Sequence, residues 1–187
     1  MIHLSTNEAD RTPRVFVDGT ILPVDLQTKY LGITLDRSLT YAHHCNNTAH
    51  KARKRVNLLR KLAGTTWGAN TALLRTTALA LVFSCAEYGA PVFARSSHAD
   101  RIDVPLRAAM RVVAGVTQST ENGWLPVMSG IEPPHIRREA ATQKWFVKAE
   151  SAGDTPLNRY VRCAPTSGRL KSRSPFYNAG VRRFDAK

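Results

Sequence analysis

At 187 residues the chain has the length of one domain, or of one domain with an appended piece. Hydrophobic content of 43% and charged content of 22% exclude wholesale disorder. Lys and Arg outnumber Asp and Glu by 27 to 14, and the net charge of +13 points to a polyanionic partner, nucleic acid ahead of an anionic membrane surface.

The first segment reads as β. Arg14–Val17, the dipeptide Asp18-Gly19 and Thr20–Leu22 form a hairpin signal, because Asp-Gly tolerates the positive φ angles of a two-residue turn. Tyr30–Asp36 is a further strand candidate, with Gly32 placed where another backbone or a ligand can approach closely.

A helix follows over roughly 41–63. Tyr41, Cys45, Ala49, Ala52, Val56, Leu59 and Ala63 recur at helical spacing and keep one face apolar. His43, His50, Lys54 and Lys61 fall opposite, beside Asn47 and Asn57, with Lys51, Arg53, Arg55 and Arg60 on the flanks. A solvated face is the usual fate of such a run. Here no acid offers an i,i+4 partner, and a long basic face suits a phosphate backbone. The candidate nucleic-acid-binding set is His43, His50, Lys51, Arg53, Lys54 and Lys61, with Arg75 from the next helix.

That second helix runs over about 71–88, capped by Asn70 and stopped by Gly89, and is apolar on nearly every side. The loop Gly64–Gly68, around Trp67, precedes it. A third helix covers about 98–114, where Pro105 is expected to kink or divide it. Pro126, Pro133 and Pro134 mark a loop, and Pro134 opens a fourth helix over 135–150. From Arg159 the chain reads as an irregular basic tail that stays disordered or folds on binding. The fold class is thus mainly α (α+β): a short N-terminal β-hairpin plus one strand, then a bundle of about four helices.

The charge is unevenly placed along these elements. Residues 37–86 hold eight basic groups and no acid, residues 87–158 hold eight of each, and residues 159–187 hold eight basic groups and one acid. Such asymmetry says more about function than the total does.

The remaining signals exclude more than they assign. Cys45, Cys85 and Cys163 form neither a CxxC pair nor a disulfide framework, which fits a reducing, intracellular compartment, nuclear or cytoplasmic. Residues 1–10 have no basic start or apolar core, so no signal peptide is expected. The apolar run Ala78–Ala86 is too short for a membrane span, and no membrane partner is expected. His43-His44-Cys45 with His50 invites a metal reading, but Cys45 points to the apolar side and no second ligand pair follows at zinc spacing. No serine nucleophile motif, P-loop or dinucleotide fingerprint is present, and no cofactor is expected in this chain.

Four runs carry a resemblance: HLSTNEADRTPRVFVDGTILPVDLQTKYLGITLDRSLTYAHHC (His3–Cys45), RKLAGTTWGA (Arg60–Ala69), ALALVFSCAEYGAPVFARSSHADRID (Ala78–Asp103) and WLPVMSGIEPPHIRREA (Trp124–Ala140). They resemble the segment that follows the catalytic palm in non-LTR retrotransposon reverse transcriptases of the Jockey-like kind. The resemblance implies a primer-grip-like element at Tyr30, Leu31 and Gly32. It implies a remnant of palm edge over 1–40, a thumb-like helical region over 41–115, a post-thumb helical region over 116–158 and a basic tail over 159–187. It also implies an RNA–DNA or DNA duplex as partner, with a palm-bearing reverse transcriptase chain as a second. The family's catalytic Phe/Tyr-Ala-Asp-Asp motif is absent from this sequence. Mg²⁺ is expected only for the full-length polymerase, and this chain is expected to be inactive alone. It reads as a C-terminal remnant translated from a Met just after the palm. The alternatives are the product of a decayed transposon frame, or an independent basic RNA-binding or accessory protein.

Overall fold

The computed structural model describes residues 14–64 and 68–162, together with Phe176. Trp67 and most of the basic tail lie outside the described residues. The chain is mainly α, with two small antiparallel hairpins before the helices.

The first hairpin pairs β1 (Phe16–Val17) with β2 (Thr20–Ile21) across Asp18-Gly19, both at positive φ as the dipeptide requires. The second differs from expectation. Tyr30–Asp36 is not one strand but a hairpin, β3 (Lys29–Tyr30) against β4 (Ile33–Thr34). Leu31 and Gly32 form its turn, at φ 45 and 85. Gly32 takes this conformation without strain, whereas Leu31 is held there by a distant contact, because the Tyr88 hydroxyl donates to its carbonyl at 2.9 Å.

Helix α1 (Ala42–Leu62) begins after Asp36, whose carboxylate accepts from the Thr40 N–H (2.7 Å), the Thr40 hydroxyl (2.6 Å) and the Ala42 N–H (3.3 Å). Its expected apolar stripe is the buried one: Tyr41, Cys45, Ala49, Ala52, Val56 and Leu59 all face the core. Asn70 caps the next rod by accepting from the Leu73 N–H at 2.9 Å. That rod comprises α2 (Thr71–Thr77), a π-helical segment (Ala78–Phe83) and α3 (Ser84–Glu87). Arg55 of α1 donates to the Leu81 carbonyl within the π-helical segment at 2.6 Å.

After α4 (Ala90–Phe93), α5 (Asp100–Ala114) lies along α1 in the most extensive contact among the described helices. Pro105 does not divide α5: the helix is continuous and its proline ring is fully buried. Proline removes one backbone donor, and burial of the ring offsets part of that loss. The core gathers Val56, Leu59, Phe83, Phe93, Ile102, Leu106 and Met110.

A short helix, α6 (Leu125–Ser129), occupies the stretch expected to be loop, with Pro126 in its first turn. Helix α7 (Pro134–Glu150) opens on Pro134 as expected. Helix α8 (Pro156–Arg162) continues past residue 159, where irregular chain was expected. Its Asn158 side chain donates to the Ala149 and Glu150 carbonyls (3.2 and 2.6 Å), tying it to the end of α7.

Candidate nucleic-acid interface

Helix α1 has two chemically different sides because its sequence alternates at helical period. Opposite the buried stripe, His43, His50, Lys51, Arg53, Lys54 and Lys61 are all exposed. At about 1.5 Å per residue, His50 and Lys61 are about 16 Å apart along the axis. Among the described residues, Arg53, Lys54 and Lys61 have no ion pair or hydrogen bond from their side chains. Their charge is therefore directed to solvent.

The other candidates have structural ties. The His43 ring accepts from the Gln27 side-chain amide at 3.1 Å, which joins α1 to the segment before β3. Arg75 donates to the Gly130 carbonyl at 2.9 Å and so connects α2 to the turn after α6. Arg60 donates to Asn57 at 2.9 Å. Arg101 of α5 reaches Asn46 at 2.8 Å.

Tyr30 and Leu31 stand out at the hairpin tip, 64% and 73% exposed. Gly32 lies against the Tyr88 ring; a Cβ there would be 3.0 Å from Tyr88 Cε1. The close approach expected at Gly32 is thus made by a side chain of α3's C-terminal end.

His44 was missed as a structural residue. Its Nδ1 accepts from the Thr34 N–H at 3.3 Å, and its ring packs on Phe93 with centroids 5.0 Å apart. Nε2 is buried without a hydrogen-bond partner among the described residues. Burial first, and the Lys51 charge second, hold its pKa below the ordinary value. Its place beside Cys45 on the apolar side of the helix was the available signal. Burial also pushes the Cys45 thiol up to about 11, so that thiol is unreactive at neutral pH. No three His, Cys, Asp or Glu side chains among the described residues converge as a metal-binding group. No described helix is long and apolar enough to cross a membrane.

The chain is 34% identical over 107 residues to the probable RNA-directed DNA polymerase from transposon BS of Drosophila melanogaster, covering 54% of this chain and 12% of that protein. It is 39% identical over 51 residues to the RNA-directed DNA polymerase from mobile element jockey of Drosophila funebris, covering 27% of this chain and 6% of that protein. The chain is similar to part of a Jockey-like reverse transcriptase. It spans only 12% and 6% of the lengths of these two polymerases. No family model matches, and no solved structure does.

Between residues 87 and 158, the carboxylates of Glu87, Asp103 and Asp154 are held by arginines. Arg137 forks onto Glu87, with its Nη2 2.9 Å from Oε2, and also lies over the Phe83 ring. Arg138 forks onto Asp103 in a buried pair between α7 and α5. Arg159 pairs with Asp154 on the surface. None of these acids lies near enough to α1's basic side to form an ion pair with it among the described residues.

Proposed function

We propose that this chain is a nucleic-acid-binding piece of an RNA-directed DNA polymerase, catalytically incomplete by itself. One observation carries the reading: α1 buries one side completely and turns Lys51, Arg53, Lys54 and Lys61 outward, in a stretch from 37 to 86 that contains no acid. Such a surface recognises phosphate charge rather than sequence. The bound molecule is an RNA–DNA or DNA duplex, and α1 takes the part of a thumb helix against its backbone. The Tyr30-Leu31-Gly32 turn, exposed at its tip and braced by Tyr88, is the primer-grip-like element.

Two-metal phosphoryl transfer needs carboxylates that hold the ions. The Phe/Tyr-Ala-Asp-Asp motif that would supply them is not in this sequence, and the reading assigns them to a palm-bearing chain. The proposal therefore predicts no primer extension by the pure chain in Mg²⁺. Extension above a no-protein control would contradict it.

The direct test is a salt titration of duplex affinity. About five phosphate contacts give a slope of log K on log salt near −4 to −5. A slope near zero removes the reading.

A second reading, an accessory chain that joins a palm-bearing partner, is favoured by the hairpins. Phe16, Val17, Ile21, Leu26 and Leu31 are exposed large apolar residues beside short strand edges. Co-purification with a palm-bearing chain, lost on changing Phe16 and Ile21 to Ser, supports it. The third reading, a decayed frame with no stable product, would be contradicted if the pure chain proved monomeric and unfolded cooperatively in urea.

A further inference from the structure

Phe176 stands against α7. Its ring meets that of Phe146 edge to face, with centroids 6.1 Å apart and planes at 63°, within the spacing that aromatic pairs favour. Phe146 is buried and Phe176 half-buried. Residues 163–175 join this contact to the end of α8. Extended, they reach about 45 Å, ample for a return to α7, whose whole length is about 25 Å. The face of α7 that carries Phe146 is also acidic. At 3.6 residues per turn, Glu139, Phe146 and Glu150 fall within about 40° of one another around the axis. Glu150 follows Phe146 by about 6 Å along the helix, and Glu139 precedes it by about 10 Å.

An aromatic seat between two carboxylates suits a segment whose aromatic residue stands between cations. The sequence around Phe176 is of that kind, with Lys171 and Arg173 before it and Arg182 and Arg183 after. Along an extended chain Arg173 comes within about 10 Å of Phe176 and Arg182 within about 20 Å, so both acids are in reach of basic side chains. Elsewhere the charge would find less to meet, since residues 37–86 hold no acid and residues 87–158 hold eight. We propose that this face of α7 is the docking site of the chain's own C-terminal segment. Phe176 is the anchor, and Lys171, Arg173, Arg182 and Arg183 supply the charges opposite Glu139 and Glu150. The basic block at the end of the chain is then held within the molecule, as Arg137 and Arg138 are, rather than extended as a free arm. This docking is independent of the reading of α1.

The full chain and a synthetic peptide of residues 163–187 are digested with trypsin in parallel. Cleavage after Lys171 and after Arg173 is followed by mass spectrometry, and each rate is taken relative to the peptide's. Docking is expected to slow both cleavages at least about tenfold in the full chain, because a protease cuts a docked segment only when it opens. Phe176→Ser is expected to remove that protection while hydrogen exchange of core amides in α5 stays unchanged. Glu139→Gln with Glu150→Gln is expected to lower the protection about threefold, as is about 0.5 M salt, since these ion pairs lie at the surface. Cleavage as fast as in the peptide overturns the proposal. So does protection unchanged in Phe176→Ser, or unchanged in the double glutamine variant. Protection that rises with protein concentration seats the segment on a second copy of the chain, and overturns it as well.

Discussion

The stretches 37–86 and 87–158 carry the same number of basic residues, eight each, and use them in opposite ways. In the second, Arg137 and Arg138 fasten α7 to Glu87 and Asp103, so charge is a structural tie between helices. In the first there is no acid to fasten to, and Lys51, Arg53, Lys54 and Lys61 stay on the surface of α1. An equal number of basic residues thus does not imply equal function. What separates the two is whether the fold supplies a carboxylate within reach.

The largest effect expected from this contrast is in the second stretch. Asp103→Ala leaves the buried Arg138 guanidinium without its partner, and breaking such a pair costs about 3–5 kcal/mol. Replacing both, as Asp103→Leu with Arg138→Met, is expected to recover most of the loss. Urea unfolding measures each variant. A single-variant loss below about 1 kcal/mol would put the pair among ordinary surface bridges and weaken the contrast.

The next effect concerns the tie between α1's region and the hairpin before it. Gly32→Ala puts a Cβ 3.0 Å from the Tyr88 ring at a φ of 85, where an L residue costs about 1–2 kcal/mol. The hairpin can yield by itself, so the readout is local. Hydrogen exchange of the Leu35 amide, bonded to Thr28 at 2.8 Å, is expected to speed about 5- to 30-fold, while the exchange of core amides in α1 stays unchanged. Equal acceleration throughout would mean that the hairpin is part of the helical core rather than docked on it.

These two cases show what sequence pattern can and cannot reveal. The buried stripe of α1 was legible because 3.6-residue periodicity is local. The Leu31-Gly32 turn was not, since the hydroxyl that stabilises Leu31 at positive φ is on Tyr88, 57 residues away. The division expected at Pro105 does not occur for a related reason: its helix is continuous in a packed environment that local propensity ignores. The π-helical segment lies in a run apolar on all sides, where no period distinguishes one hydrogen-bonding pattern from another. At the candidate interface the basic residues themselves were legible. Which of them are tied, as His43 is to Gln27 and Arg75 to Gly130, depends on partners 16 and 55 residues distant.

A smaller effect is expected from His44, on the inner side of the same helix whose outer side is basic. Its pKa is lowered in the folded state, by burial first and Lys51 second. The unfolded chain, with an imidazole pKa near about 6.5, therefore binds the proton more readily. Stability from this residue is present above that value and falls as pH drops through it, until the lower folded pKa is reached. His44→Gln is expected to flatten this part of the stability-versus-pH curve, measured as urea midpoints across that range. A wild-type curve that rises on acidification through the same window would contradict the assignment.

The smallest expected effect on the fold is also the sharpest test of the contrast. Lys54 and Lys61 are exposed and have no described partner, so Lys54→Glu with Lys61→Glu should change unfolding stability by no more than about 0.5 kcal/mol per site. Binding should respond quite differently. If both side chains meet phosphates, each substitution lowers the salt slope by about 1 and weakens duplexes of every sequence alike. The matching changes in the other stretch, Arg137→Glu or Arg138→Glu, should do the reverse, lowering stability strongly by placing a carboxylate beside Glu87 or Asp103. Stability lost in the α1 variant, or affinity lost for one sequence and not another, would show that its lysines serve the fold or read bases. Affinity lost uniformly with the fold intact leaves the phosphate backbone as their target, since a lysine with no internal partner can affect binding at constant stability only through what it meets outside.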